Sequence, residues 1–191
     1  LNINGERTTF DESTYITDVL TDHAVDWLDN REQDQPFFLY LSHKAVHSQF
    51  QPAERHQGLY EGKEVVYPPS FDVPSYGIPK LPSGDVDTEP LRGRDYYGEN
   101  RIPDWVKQQR ESWHGVDYMY HGDIEFEEFF QRYTETLMGI DESVGAVLDY
   151  LDANGLAEDT LVIYMGDNGF SFGEHGLIDK RHFYEESAKV P

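Results

Sequence analysis

The 191-residue sequence contains no cysteine. Disulfides, thiolate metal sites and a cysteine nucleophile are thereby excluded from these residues. Cationic residues are scarce: 15 Lys and Arg stand against 37 Asp and Glu, a formal net charge of −22. A phosphate backbone demands a basic footprint, so nucleic acid is not expected as a partner. The same charge favours solubility without naming a function. No apolar run approaches the roughly 20 residues a helix needs to cross a bilayer, so no transmembrane segment is expected. No internal repeat or low-complexity segment is present. An initiating methionine is missing too. The chain opens on Leu1-Asn-Ile-Asn-Gly5, which has no signal-peptide character, and closes on Lys189-Val-Pro191. Both ends read as cut, within a length that suits one sizeable domain.

What is present centres on Thr160–Lys180, TLVIYMGDNGFSFGEHGLIDK. The apolar run Leu161–Met165 suits a buried strand of a parallel sheet. It stops at Gly166-Asp-Asn-Gly169, where the carboxyl end of such a strand would lie, the usual place for a ligand in an α/β sheet. Asp167 and Asn168 offer two hard oxygen ligands there, suited to Ca²⁺ or Mg²⁺. The competing reading is a tight turn, because Asn-Gly supplies positive φ cheaply. Gly173-Glu-His-Gly176 and Lys180 follow within reach of the same strand end.

Upstream, Tyr15, Val19, Leu20, Ala24, Trp27 and Leu28 recur at helical spacing. Asp11, Ser13 or Thr14 is the expected cap and Asp29-Asn30 the end. A second apolar run, Phe37–Leu41, reads as another buried strand, so that helix followed by strand forms half of a βαβ unit. It ends in Ser42-His-Lys-Ala-Val-His47, which sets two histidines and a lysine past a strand's carboxyl end. A histidine there can give a proton to a leaving oxygen near neutral pH; the alternative is a histidine that bonds a loop carbonyl.

Residues 51–122 differ in kind, with seven prolines between Pro68 and Pro103 and no persistent period. They read as a long loop excursion on the domain surface. Within it the basic stretch from Arg92 to Arg110, with Tyr96, Tyr97, Trp105 and Trp113 in or near it, would suit a sulfated sugar chain or simply anchor the loop. From Asp123 to Asn154 the pattern is the clearest helix. An apolar stripe runs through Phe126, Phe129, Phe130, Tyr133, Leu137, Ile140, Val144, Val147, Leu148 and Leu151. Acids occupy its first turns and Gly155 is its C-cap. Asp141 is expected to be exposed or hydrogen-bonded.

PFFLYLSHKAVH, then YTETLMGIDESVGAVLDYLDANGL, then DTLVIYMGDNGFSFGEHGLIDKRHFYEESAKVP stand in an order that closely resembles the type I sulfatases. Among these the sequence looks most like arylsulfatase and N-acetylglucosamine-6-sulfatase-like enzymes. The resemblance loosens between about Gln57 and Pro103. It implies an α/β fold, part of an alkaline-phosphatase-like α/β/α sandwich with a mainly parallel sheet, truncated at both ends. It implies hydrolysis of sulfate from a sulfated sugar or polysaccharide, with a formylglycine nucleophile and one Ca²⁺. Asp167 and Asn168 then match calcium ligands, His47 the histidine at the leaving oxygen, and Lys180 the sulfate-binding lysine. His175 and Lys44 match the substrate side less closely. Export to the periplasm or outside the cell is the family's habit.

The sequence departs from the family pattern where the nucleophile is concerned. It has no Cys, and no Ser stands in a C/S-x-P/A-x-R motif. The earlier calcium-binding aspartates of the family are also missing. The 191 residues are therefore expected to be an internal piece of a sulfatase catalytic domain, inactive alone. A phosphatase or phosphodiesterase of the same superfamily and a non-catalytic glycan-binding module are the alternatives.

Overall fold

The computed structural model describes residues 1–71, 115–116 and 124–190. The basic Arg92–Arg110 stretch, its neighbouring aromatics and most of the expected loop excursion lie outside the described residues. The chain divides into two compact units, Leu1–Gly62 with Gln131–Val162, and Lys63–Phe130 with Ile163–Pro191.

The first unit opens with an antiparallel hairpin of β1 (Asn2–Ile3) and β2 (Glu6–Arg7). Asn4 and Gly5 both take positive φ, 53° and 93°, the backbone a two-residue hairpin turn requires. The Gly5 N–H donates to Asn2 Oδ1 at 2.8 Å. Helix α1 spans Ile16–Asn30 and ends where expected. Its start is different from the sequence reading. Tyr15 is the N-cap residue and supplies no side-chain cap, because the Asp11 carboxylate is spent one turn earlier on the Ser13 N–H and hydroxyl, at 2.9 and 2.6 Å. Thr17, Ala24 and Leu28 face inward, whereas Trp27 is 45% exposed and meets Phe37 edge-on at its rim.

Helix α2 spans Phe126–Ala153. It closes as the sequence predicts: Gly155 takes φ 67°, its N–H donates to Asp152 O, and the Leu156 N–H donates to Leu151 O, the paired bonds of a Schellman cap. The inner face is less apolar than the stripe suggests. Glu135, Thr136 and Ser143 are buried and Leu148 is exposed. Each buried polar group has a bond: Glu135 accepts the Tyr60 N–H, Thr136 donates to the Arg132 carbonyl, and Ser143 meets His43. Gly139 lets the Tyr15 ring lie against the helix, since a Cβ there would stand 2.8 Å from the ring. A charged cluster ties the 3-10 turn Glu54–His56 to both helices. The Arg55 guanidinium forks onto Asp18 at 2.8 Å and reaches Glu142, whose carboxylate also accepts from His56 Nε2 at 2.8 Å. Arg55 first and His56 second hold the Glu142 carboxyl below its ordinary range.

In the second unit an aromatic core forms around Phe126, which meets Tyr67, Phe71 and Phe130; Phe130, Phe129 and Phe170 in turn surround Phe172. Strands β3 (Ser171–Phe172) and β4 (Ile178–Asp179) pair antiparallel around the turn Glu174–Gly176. A short helix α3, Glu185–Ala188, packs its carbonyls against Gly169.

The two apolar runs do not form the expected buried parallel strands among the described residues. Among the described residues the paired strands are antiparallel and two-stranded, with no parallel pairing. Leu161, Ile163, Tyr164 and Met165 are exposed. From Phe37 to Leu41 burial alternates, with Phe38 and Tyr40 exposed. A buried parallel strand needs a ladder on each side and cover on each face. These runs have the composition of such strands without that pairing or cover among the described residues.

Candidate active site

Two groups of candidate residues stand on two different units. Lys44 and His47 belong to the first. The His47 N–H donates to the Lys44 carbonyl at 2.9 Å, closing a turn. Nδ1 of His47 lies 3.1 Å from the Ser48 carbonyl and 3.4 Å from its hydroxyl. A carbonyl only accepts, so Nδ1 carries the proton and Nε2 is the nitrogen left for other work. The loop-carbonyl contact foreseen for this histidine thus leaves its chemistry open. Both His47 and Lys44 are exposed, and the Lys44 ammonium has no ion-pair partner among the described residues.

Asp167, Asn168, His175 and Lys180 lie on the second unit. Asp167 is exposed, and its carboxylate accepts no hydrogen bond among the described residues. The Asn168 amide nitrogen donates to the Gly169 carbonyl at 2.7 Å, which leaves Oδ1 as a bare acceptor. Two oxygens of the hard type that Ca²⁺ prefers are therefore available side by side in sequence. They are only part of a ligand set: among the described residues no three His, Cys, Asp or Glu side chains gather to hold a metal. Gly169 does not take positive φ. Its lack of a side chain serves packing, because a Cβ would stand 2.0 Å from the Glu186 carbonyl oxygen. The Gly169 N–H donates to Ser187 O at 3.0 Å, so the Asp-Asn pair is braced against α3 rather than wound into an Asn-Gly turn.

The Gly173–Gly176 turn is tightly specified. Gly173 has φ 98° and no room for a Cβ, which would stand 2.2 Å from the Phe71 ring. His175 itself takes φ 58°, an uncommon conformation for a residue with a side chain. Its N–H donates to Ser70 Oγ at 3.0 Å, its ring stacks on Tyr184 at 4.0 Å, and its Nε2 stands 3.9 Å from a Glu186 oxygen. Lys180 follows β4. Its N–H donates to Asp179 Oδ1 at 2.7 Å, while its ammonium has no partner among the described residues. Asp179 is fully buried and also accepts from Arg181 Nε at 2.6 Å.

The sequence model of the sulfatase family matches residues 2–191. The chain belongs to the sulfatase family. It is 29% identical to an N-acetylglucosamine-6-O-sulfatase of Bacteroides thetaiotaomicron, over 94% of this chain and 38% of that protein. To the N-acetylglucosamine-6-sulfatase of Bos taurus it is 28% identical, over 100% of this chain and 30% of the relative. The sulfatase chain thus spans about a third of the length of such relatives. A solved structure of a protein in complex with its substrate D-glucosamine-2-N,6-O-disulfate superposes with a TM-score of 0.69. That match covers 98% of this chain and 44% of the other at 24% identity, and shows a shared α/β fold.

Asp179 and Tyr184 escaped the sequence reading, and His43 was noted there only as one of two histidines past a strand end, without its inward direction. For His43 a signal existed. Burial alternates without a break from Phe37 through Lys44, so the period of an extended chain turns His43 inward and Lys44 outward. Nothing in the sequence marks Asp179 as buried or Tyr184 as the partner of His175.

Proposed function

We propose that these residues form part of the catalytic domain of a sulfuric ester hydrolase that removes sulfate from a sulfated amino sugar. The observation that carries the reading is the family match along residues 2–191. A physical feature supports it: the Asp167 carboxylate, Asn168 Oδ1, the Lys180 ammonium and His47 Nε2 have no partner among the described residues. Folding orders a polar group at a cost, and one without an internal partner is available for substrate or metal. The relatives' names point to the 6-sulfate of N-acetylglucosamine as the substrate class.

In this reading the Lys180 ammonium binds the sulfuryl oxygens and offsets their charge. His47, carrying a proton on both ring nitrogens, gives the one on Nε2 to the departing sugar oxygen and returns to the neutral ring, with Nδ1–H held by the Ser48 carbonyl. His175 and Lys44 contact the substrate, and the stack on Tyr184 fixes the His175 ring. Asp167 and Asn168 would hold a calcium ion. When bound, the ion supplies positive charge where the sulfate sits. The nucleophile, a formylglycine, belongs to no motif in these 191 residues. In the complete domain the runs Phe37–Leu41 and Leu161–Met165 are strands of the parallel sheet of an alkaline-phosphatase-like sandwich. The enzyme works in the periplasm or outside the cell.

Sulfate release from glucosamine 6-sulfate, measured with the polypeptide that carries the complete domain, tests the reading. Lys180→Ala is expected to lower kcat/KM by roughly 10²–10³-fold, the usual cost of one lost stabilising donor. Faster hydrolysis of 4-nitrophenyl phosphate than of the sulfate esters would move the enzyme to the phosphatase side of the superfamily.

A further inference from the structure

The segment from Ser42 to His47 holds two histidines, and the chemistry above uses one. His43 lies on the other side of the chain. Its Nε2 stands 2.9 Å from the Ser143 hydroxyl, which is 2% exposed on the inner face of α2. Thr21 Oγ1, on α1, is 2.7 Å from the same hydroxyl and 2.8 Å from the Thr17 carbonyl. A line of imidazole, hydroxyl, hydroxyl and carbonyl therefore ties this segment to both helices.

The surroundings of the imidazole disfavour a second ring proton. Ser143 can accept from or donate to Nε2, whichever the tautomer requires. Nδ1 is buried with no partner, so a second ring proton would be an unsatisfied donor. Burial depresses the pKa of this histidine in the same direction. His43 is thus unsuited to giving a proton and well suited to fixing a position. The His47-to-Lys44 turn begins at the next residue, so any drift of His43 passes directly into it.

We propose that His43 is a positioning residue: anchored through Ser143 and Thr21, it fixes the turn that aims His47 at the leaving oxygen. The inference rests on the reading of His47 as the proton donor. A donor must lie within hydrogen-bond reach of the oxygen it serves, and a misplacement of about 1 Å costs on the order of 10²-fold in rate.

Two esters separate positioning from general damage. The alkoxide of glucosamine 6-sulfate needs a proton to leave, whereas the nitrophenolate of 4-nitrophenyl sulfate leaves without one. In the complete enzyme, His43→Leu is expected to lower kcat on the sugar sulfate by about 10²-fold and to lower it far less on the aryl sulfate. His43→Gln, whose amide can still reach Ser143, restores most of the loss. Ser143→Ala cuts the anchor while keeping the loop sequence, and is expected to show the same contrast more weakly, which covers the case of a His43→Leu protein that does not fold. His47→Ala is the control. If it lowers both esters alike, the proton-donor reading fails, and the ground of this proposal with it. If His47→Ala shows the contrast while the His43 and Ser143 variants lower both esters alike, or neither, the positioning role is overturned.

Discussion

Asp179 and Lys180 are neighbours in sequence and opposites in circumstance. The aspartate is fully buried, and its two oxygens accept the Lys180 N–H and Arg181 Nε. The lysine ammonium, one residue on, has no partner among the described residues. A buried carboxylate persists only when its oxygens are satisfied, so Asp179 has a structural task and Lys180 is free for a chemical one. Asp179→Ala strands the Lys180 N–H, and the expected loss is about 1–3 kcal/mol, read as a lowered urea midpoint. Asp179→Asn, which keeps one acceptor, should lose less. An Asp179→Ala protein as stable as the parent would show that the carboxylate is dispensable. The sequence gives no way to tell these two residues apart by burial, because an Asp-Lys pair after an apolar residue looks the same at a surface as in a core. Family resemblance singled out Lys180; only the packing singles out Asp179.

At the scale of elements, periodic patterns were legible and their edges were less so. The 3.6-residue period located both long helices, and Gly155 marked the end of α2 because only a left-handed residue closes that cap well. The start of α1 was misread, since the Asp11 side chain found the Ser13 donors before it could reach the helix. The two apolar runs were read by composition as buried strands, but composition does not fix burial, and Phe38, Tyr40, Leu161, Ile163, Tyr164 and Met165 are exposed. The Asp-Asn-Gly stretch is the sharper lesson. Its glycine looked like a turn residue, yet it is there for close approach to the backbone of α3. Gly169→Ala would force its methyl into the Glu186 carbonyl, displacing α3 or the Asp167–Asn168 pair. The expected outcome is a fall in thermal midpoint with a shift of the Tyr184 and His175 side-chain resonances. Unchanged resonances would mean that the strand end and α3 are not coupled.

For the molecule as a whole, acid acts through several groups at once. The net charge of −22 diminishes as carboxylates protonate, which relieves self-repulsion. Two named groups work the other way. The folded protein holds His43 below its ordinary pKa of 6.5 because of burial, so as pH falls through that value the unfolded chain takes up the proton first and stability drops. Glu142 is held below its ordinary 4.5 by Arg55 and then His56, and its contribution fades at lower pH still. His43→Gln removes the first of these effects. Relative to that variant, the parent protein is expected to lose stability between pH 7 and pH 5, seen as a converging pair of urea midpoints. A constant gap across that range would show that His43 binds its proton equally well folded and unfolded.

The unbroken alternation from Phe37 to Lys44 acts as a ruler with a resolution of one residue. Inserting or deleting a single residue between Phe37 and His43 would exchange its two faces. His43 would turn away from Ser143, and Phe38 and Tyr40 would take the half-buried side that Phe37, Leu39 and Leu41 now occupy. This stretch can therefore change in evolution by substitution but not by length. Its five apolar residues and its histidine form one unit of inheritance, in which the spacing matters as much as the side chains.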